Sequence, residues 1–148
     1  MASFLLVFAL LSDSARVMQV KKRLLYSLGG WAIASVTVGT YQAARGGLFS
    51  RYMGFQHIAW GTVEGAIAGY GLYTLHRSIR AGTANDWAAE RRKLRRLLLF
   101  NALLDVGYVA AGTYLVTRSD ARWRGTGWGV ILQGGFLLLL DSVHAWSL

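Results

Sequence analysis

The apolar residues of this chain come in four blocks of roughly 20 residues each, about 24–44, 53–75, 97–117 and 127–147. That is the length an α-helix needs to cross the hydrocarbon core of a bilayer. The blocks fill most of the 148 residues, the hydrophobic share is 54% and the charged share only 16%. A soluble domain of this size carries more charge and fewer unbroken apolar runs. The expected fold is therefore an all-α membrane protein, a bundle of four antiparallel transmembrane helices over residues 21–148. Short links such as "RGGLFSR" and "RSDARWRGTG" force neighbouring helices to run antiparallel. Both Cys and Pro are absent. Disulfides and thiolate metal sites are excluded, and glycine must supply whatever irregularity the helices need.

The net charge of +9 sits at helix ends instead of spreading over a surface, which argues against nucleic acid. Eleven of the 16 Lys and Arg residues fall between Arg16 and Arg23 or in the 76–96 segment, and the other five flank the opposite helix ends. The positive-inside rule then puts both termini and the 76–96 loop in the cytoplasm, with multi-pass insertion in the cell inner membrane. "RRKLRR" reads as an anchor against anionic headgroups. Trp123 and Trp128 near one interface and Trp87 and Trp146 near the other fit an aromatic belt.

Residues 1–20 open with "MASFLLVFALL", too short to span and lacking the basic n-region of a signal peptide. Phe4, Leu5, Phe8 and Leu11 form an apolar stripe, so this segment is expected to be a separate N-terminal interfacial helix. Asn85 is a candidate cap for a helix that runs through "DWAAERRKLRR" into the third span and protrudes by about two turns. An internal repeat is also expected, of the 2+2 kind. "RLLYSLGGWAIASVTVGTYQAAR" (23–45) lies on "RLLLFNALLDVGYVAAGTYLVTR" (96–118). The second and fourth spans align less closely, with Gln56 on Gln133 and Glu64 on Asp141. Biased composition is the competing explanation for such matches.

Polar groups inside the apolar blocks carry the functional question. Asn101, Asp105, Tyr108 and Gly112 are spaced 4, 3 and 4 apart and share one helix face. His57 and Glu64 share a face on the second span, beside a Gly61, Gly65, Gly69 stripe that admits a close helix neighbour. Asp141 lies one turn from His144 on the fourth span, with Gln133 toward the other end. A charged Asp at the centre of a spanning helix costs on the order of 3 kcal/mol. Glu64, Asp105 and Asp141 are therefore expected to face the interior at a common depth, with Asn101, Tyr108, Gln56, His57, Gln133 and His144 around them. No Lys or Arg shares that depth. At least one acid is expected to hold its proton at neutral pH, the alternatives being a bound cation or internal water.

The histidines do not suggest haem, because His76 and His144 differ in depth by ~13 Å at the helical rise. No catalytic triad, HExxH or phosphate-binding glycine pattern stands in a fitting context. No catalytic residue, metal or cofactor is therefore expected.

The pieces "GGWAIASVTVG", "QHIAWGTVEGAIA", "NALLDVGYVAAG" and "LQGGFLLLLDSVHA" together resemble small uncharacterised bacterial four-helix integral membrane proteins over roughly 20–148. The resemblance implies the span count and a bacterial inner-membrane setting, and no activity. Three uses of the acids stay open: interhelical hydrogen-bonding glue, a ligand, proton or ion site, and a docking site for another membrane subunit. The first functional reading is a binding or accessory membrane protein. Its polar cluster would hold a small amphipathic or lipid-like ligand, or support a homo-oligomer or larger complex. The second is a proton- or cation-coupled transporter working as an oligomer, and the third a membrane-embedded enzyme with a carboxyl as general acid.

Overall fold

The computed structural model describes the backbone of residues 2–82 and 86–148, and side chains from residue 13 onward. Among the described residues four helices follow one another: α1 (Ala2–Arg45), α2 (Leu48–Ala81), α3 (Trp87–Val116) and α4 (Ala121–Trp146). There is no strand among the described residues. α1 is a single 44-residue element, so the segment expected as a separate interfacial helix is continuous with the first long helix. No proline or glycine interrupts the run from residue 2 to 28, and nothing local stops the helix there. The Phe4, Leu5, Phe8 and Leu11 stripe lies outside the described side chains.

The helix ends follow the sequence chemistry. Asp86 accepts a hydrogen bond from the Ala89 amide at 3.0 Å and caps α3; Asn85, the expected cap, lies outside the described residues. Asp120 accepts from the Arg122 amide at 2.8 Å and caps α4. α2 ends on Gly82 at φ 57°, the left-handed conformation that glycine adopts without a Cβ clash.

Each consecutive pair, α1–α2 and α3–α4, forms an antiparallel hairpin. α2 and α4 run parallel and touch near the hairpin turns, where Gly129 faces Gln56 and Gly125 packs on the Phe49 backbone. α1 and α3 meet at the other end, where Val17, Val20, Leu98, Ala145 and Leu148 form a buried cluster. Arg91 donates to Asp13 there at 3.1 Å, and Lys21 pairs with Glu90.

The two hairpins repeat one another. Adding 73 to each residue number carries Gly39 onto Gly112, Gly54 onto Gly127 and Gly61 onto Gly134. A Cβ on Gly39 would meet the Gly54 carbonyl at 2.7 Å; one on Gly112 would meet the Gly127 carbonyl at 2.8 Å. Gly61 faces Ala32, Ser35 and Val36, and Gly134 faces their counterparts Asp105, Tyr108 and Val109. The same shift takes the first residue of α2 to the first residue of α4. In this register Gln133 matches Trp60, and Glu64 matches Leu137. The alignment of Gln56 on Gln133 and Glu64 on Asp141 is therefore off by about one helical turn. Matching by polarity misses this register because it is set by the glycine contacts.

Two helices, α3 and α4, are long and apolar enough to cross a membrane, with windows of mean hydropathy 1.4 and 1.3. α1 and α2 fall short of that measure among the described residues, so four spans are not established. Their Gly, Ser, Thr, Tyr and His content lowers the hydropathy of helices that the sequence reading counted as spans.

Candidate functional site

The repeat creates two equivalent seams between the hairpins, α1 against α4 and α3 against α2. The first is sealed. Trp31 stacks on Phe136 with ring centroids 4.1 Å apart and planes 9° from parallel. The Trp31 indole N–H donates to Gln133 Oε1 at 2.6 Å, and Gln133 Nε2 donates to Ser35 Oγ at 3.1 Å. Gln133 is wholly buried, with both ends of its amide satisfied. Leu28, Ala68 and Leu140 fill the space beneath, with Leu137 packed against them.

The second seam is open. No Cα of α2 comes within 8 Å of a Cα of α3. Between them lies a cavity of about 940 Å³. Its lining runs from Trp60 to Ser78 on α2 and from Glu90 to Tyr108 on α3, a length of about 27 Å at the helical rise. Leu24, Leu25 and Leu28 of α1 and Leu137, Leu140 and Asp141 of α4 form the floor. Val63 and Ile67 on one lip and Leu97 and Leu104 on the other are exposed. Trp60 and Tyr108 meet edge to face at 5.0 Å and bridge the gap toward the hairpin turns. At the far end stand Lys21, Glu90 and Lys93.

All three buried acids line this one cavity, from three different helices. Glu64 and Asp105 are each 3% exposed and Asp141 is 6% exposed. Asn101, one turn before Asp105 on α3, lines the same space. Neither oxygen of Glu64 has a hydrogen-bond partner, nor does Oδ2 of Asp105. Buried acceptors in that state cost about 1–3 kcal/mol each unless something fills the space. Among the described residues, no three His, Asp or Glu side chains are grouped to hold a metal ion.

The sealed seam shows what the fold does without these groups. The counterparts of Glu64, Asp105, Asp141 and Asn101 are Leu137, Ala32, Ala68 and Leu28. All four are apolar; Leu28, Ala32 and Ala68 are buried, and Leu137 is partly so. The counterparts of the Trp31–Phe136 stack are Leu104 and Val63, which leave the gap unfilled.

Of the nine residues that the sequence brings forward, Glu64, Asp105, Asp141, Asn101 and Tyr108 come together here. The other four do not. Gln133 belongs to the sealed seam, and Gln56 packs at the α2–α4 crossing. His57 is buried at the α1–α2 crossing beside Gly39, with neither ring nitrogen partnered. His144 is turned to its own helix, its Nδ1 2.7 Å from the Leu140 carbonyl. Sequence reasoning missed Trp60, although it sits one turn before Glu64 on the same face, and it missed the Lys21–Glu90 pair at the cavity end.

An all-helical bundle of two repeated hairpins with an acid-lined cleft in one seam is the class these features define. The chain belongs to a family of unknown function, DUF6992, which matches it over residues 27–142. No curated protein and no solved structure matches it.

Proposed function

We propose that this chain is a four-span membrane protein that binds a small amphipathic molecule in the cleft between α2 and α3. The observation that carries this reading is the contrast between the two seams. Four polar residues of the open one stand where the sealed one has Leu137, Ala32, Ala68 and Leu28. Because the same architecture packs with apolar residues at those positions, interhelical glue is a poor account of the acids.

The membrane setting is supported by what the apolar faces do. Only 17% of the apolar window of α3 is buried inside the molecule, whereas the core helix of a soluble protein hides most of its apolar face. Ile33, Tyr70 and Leu103 are each at least 70% exposed, and a surface of that kind needs an apolar solvent. The matching glycine contacts of the two hairpins support insertion of α1 and α2 as well. The Lys and Arg bias then puts both termini on the cytoplasmic side of an inner membrane.

The cleft suits an amphiphile because it combines a long apolar floor with a few buried polar groups. The test is native mass spectrometry of the full chain released from lipid nanodiscs never exposed to detergent. A retained small molecule is expected on the wild type and is lost from the double variant V63F/L104W, which rebuilds the Trp31–Phe136 stack across the open seam. A wild-type chain that emerges bare and saturates with no added amphiphile overturns the reading.

A further inference from the structure

We propose that the cleft selects positively charged amphiphiles, a long-chain amine or quaternary ammonium, with the cationic head among Glu64, Asp105 and Asp141. This rests on the reading of the cleft as an amphiphile site and names the charge of its occupant. Three acids from three helices line one wall-to-wall space. Glu64 and Asp105 are more than nine-tenths buried, border the cavity and hold oxygens with no partner. Among the described residues, the lining offers cations only at its far end. Lys93 is about 18 Å from Asp105 along α3, and Lys21 is held by Glu90, about 22 Å away along the same helix.

Charge decides between occupants. An anionic head would meet three acids in a low-dielectric site, where like charges repel most strongly. An uncharged head supplies at most one or two hydrogen bonds and brings no countercharge. A cation brings that countercharge, and an N–H-bearing one can also donate to the orphaned oxygens of Glu64 and Asp105. Trp60 and Tyr108 line the same cavity about one turn along α2 and α3 from Glu64 and Asp105, and an aromatic face attracts a cation that comes within about 6 Å of it. The alkyl chain then lies along Leu24, Leu28, Leu137 and Leu140 toward the Lys21 end of the cleft.

The experiment uses the full chain in phosphatidylcholine nanodiscs, with empty nanodiscs subtracting partition into lipid. Three radiolabelled probes share one chain: dodecyltrimethylammonium, dodecanol and dodecyl phosphate. The cation is expected to saturate with an affinity at least about tenfold above that of dodecanol. Replacing the acids together by amides (E64Q/D105N/D141N) is expected to abolish that preference while dodecanol binding stays. If the triple variant does not fold, D105N alone is read, since Asp105 lines the cavity with one carboxylate oxygen unpartnered. V63F/L104W is expected to stop all three probes. Equal saturable binding of the cation and dodecanol overturns the charge assignment and leaves the amphiphile reading standing. So does a preference for dodecyl phosphate, or a cation preference that survives amidation. No saturable binding of any probe removes both.

Discussion

Glu64, Asp105 and Asp141 are unusual less for being buried than for having apolar counterparts in the same molecule. The counterparts turn a general question about buried acids into a set of substitutions already tried by the fold. Glu64→Leu copies Leu137, Asp105→Ala copies Ala32 and Asp141→Ala copies Ala68. Each removes an acid from an interior that packs without one. Glu64→Leu is expected to raise stability by about 1 kcal/mol or more, since it removes two unpartnered oxygens. Thermal unfolding in nanodiscs measures this, and a lowered midpoint would mark Glu64 as structural. Gln133 on the sealed side behaves oppositely. Gln133→Leu strands the Trp31 indole N–H and should cost about 1–3 kcal/mol. The polar stripe of α3 was readable because Asn101, Asp105 and Tyr108 sit at helical spacing on a single element. His57 and Gln133 are buried too but lie apart from the acids, because spacing gives a face but not the neighbour that face meets.

At the level of helices, the crossing points are held by glycines with no room for a side chain. Gly39 faces Gly54 and Gly112 faces Gly127, with a hypothetical Cβ 2.6–2.8 Å from the opposing carbonyl oxygen in each case. Gly112→Ala should therefore lower stability by about 1–3 kcal/mol. Gly135, with nothing within 4 Å of its Cβ position, should accept Ala with a gain of up to about 1 kcal/mol from helix propensity. A shared loss at both positions would show that the crossings are not what limits them. The repeat of α1 in α3 could be read directly, because Arg-Leu-Leu and Gly-Thr-Tyr recur in both. The α2–α4 register could not, because chemically similar residues recur about one turn out of step and contacts alone fix the match. The long glycine stripe was only partly right: Gly61 is in tight contact, Gly65 in ordinary contact, and Gly69 faces open space.

For the whole molecule, the testable quantity is topology. The chain contains no cysteine, so single cysteines can be introduced without background. Gly47→Cys and Ser119→Cys, in the two hairpin turns, should react with an impermeant thiol reagent from one side of sealed vesicles. Arg80→Cys and Ser147→Cys should react only from the other. Labelling of Gly47→Cys and Ser147→Cys from the same side would rule out four spans. The helix count and chain order followed from block lengths and short links. The cleft did not, because it arises from how unequally two similar halves close on each other.

That inequality has a consequence for traffic. The gap runs along the flanks of α2 and α3, and its lips are greasy. A guest would slip in sideways from the acyl chains instead of dropping through a watery vestibule. How full the protein is would then track the guest's mole fraction in the surrounding lipid, and its dissolved concentration would matter only by feeding that reservoir.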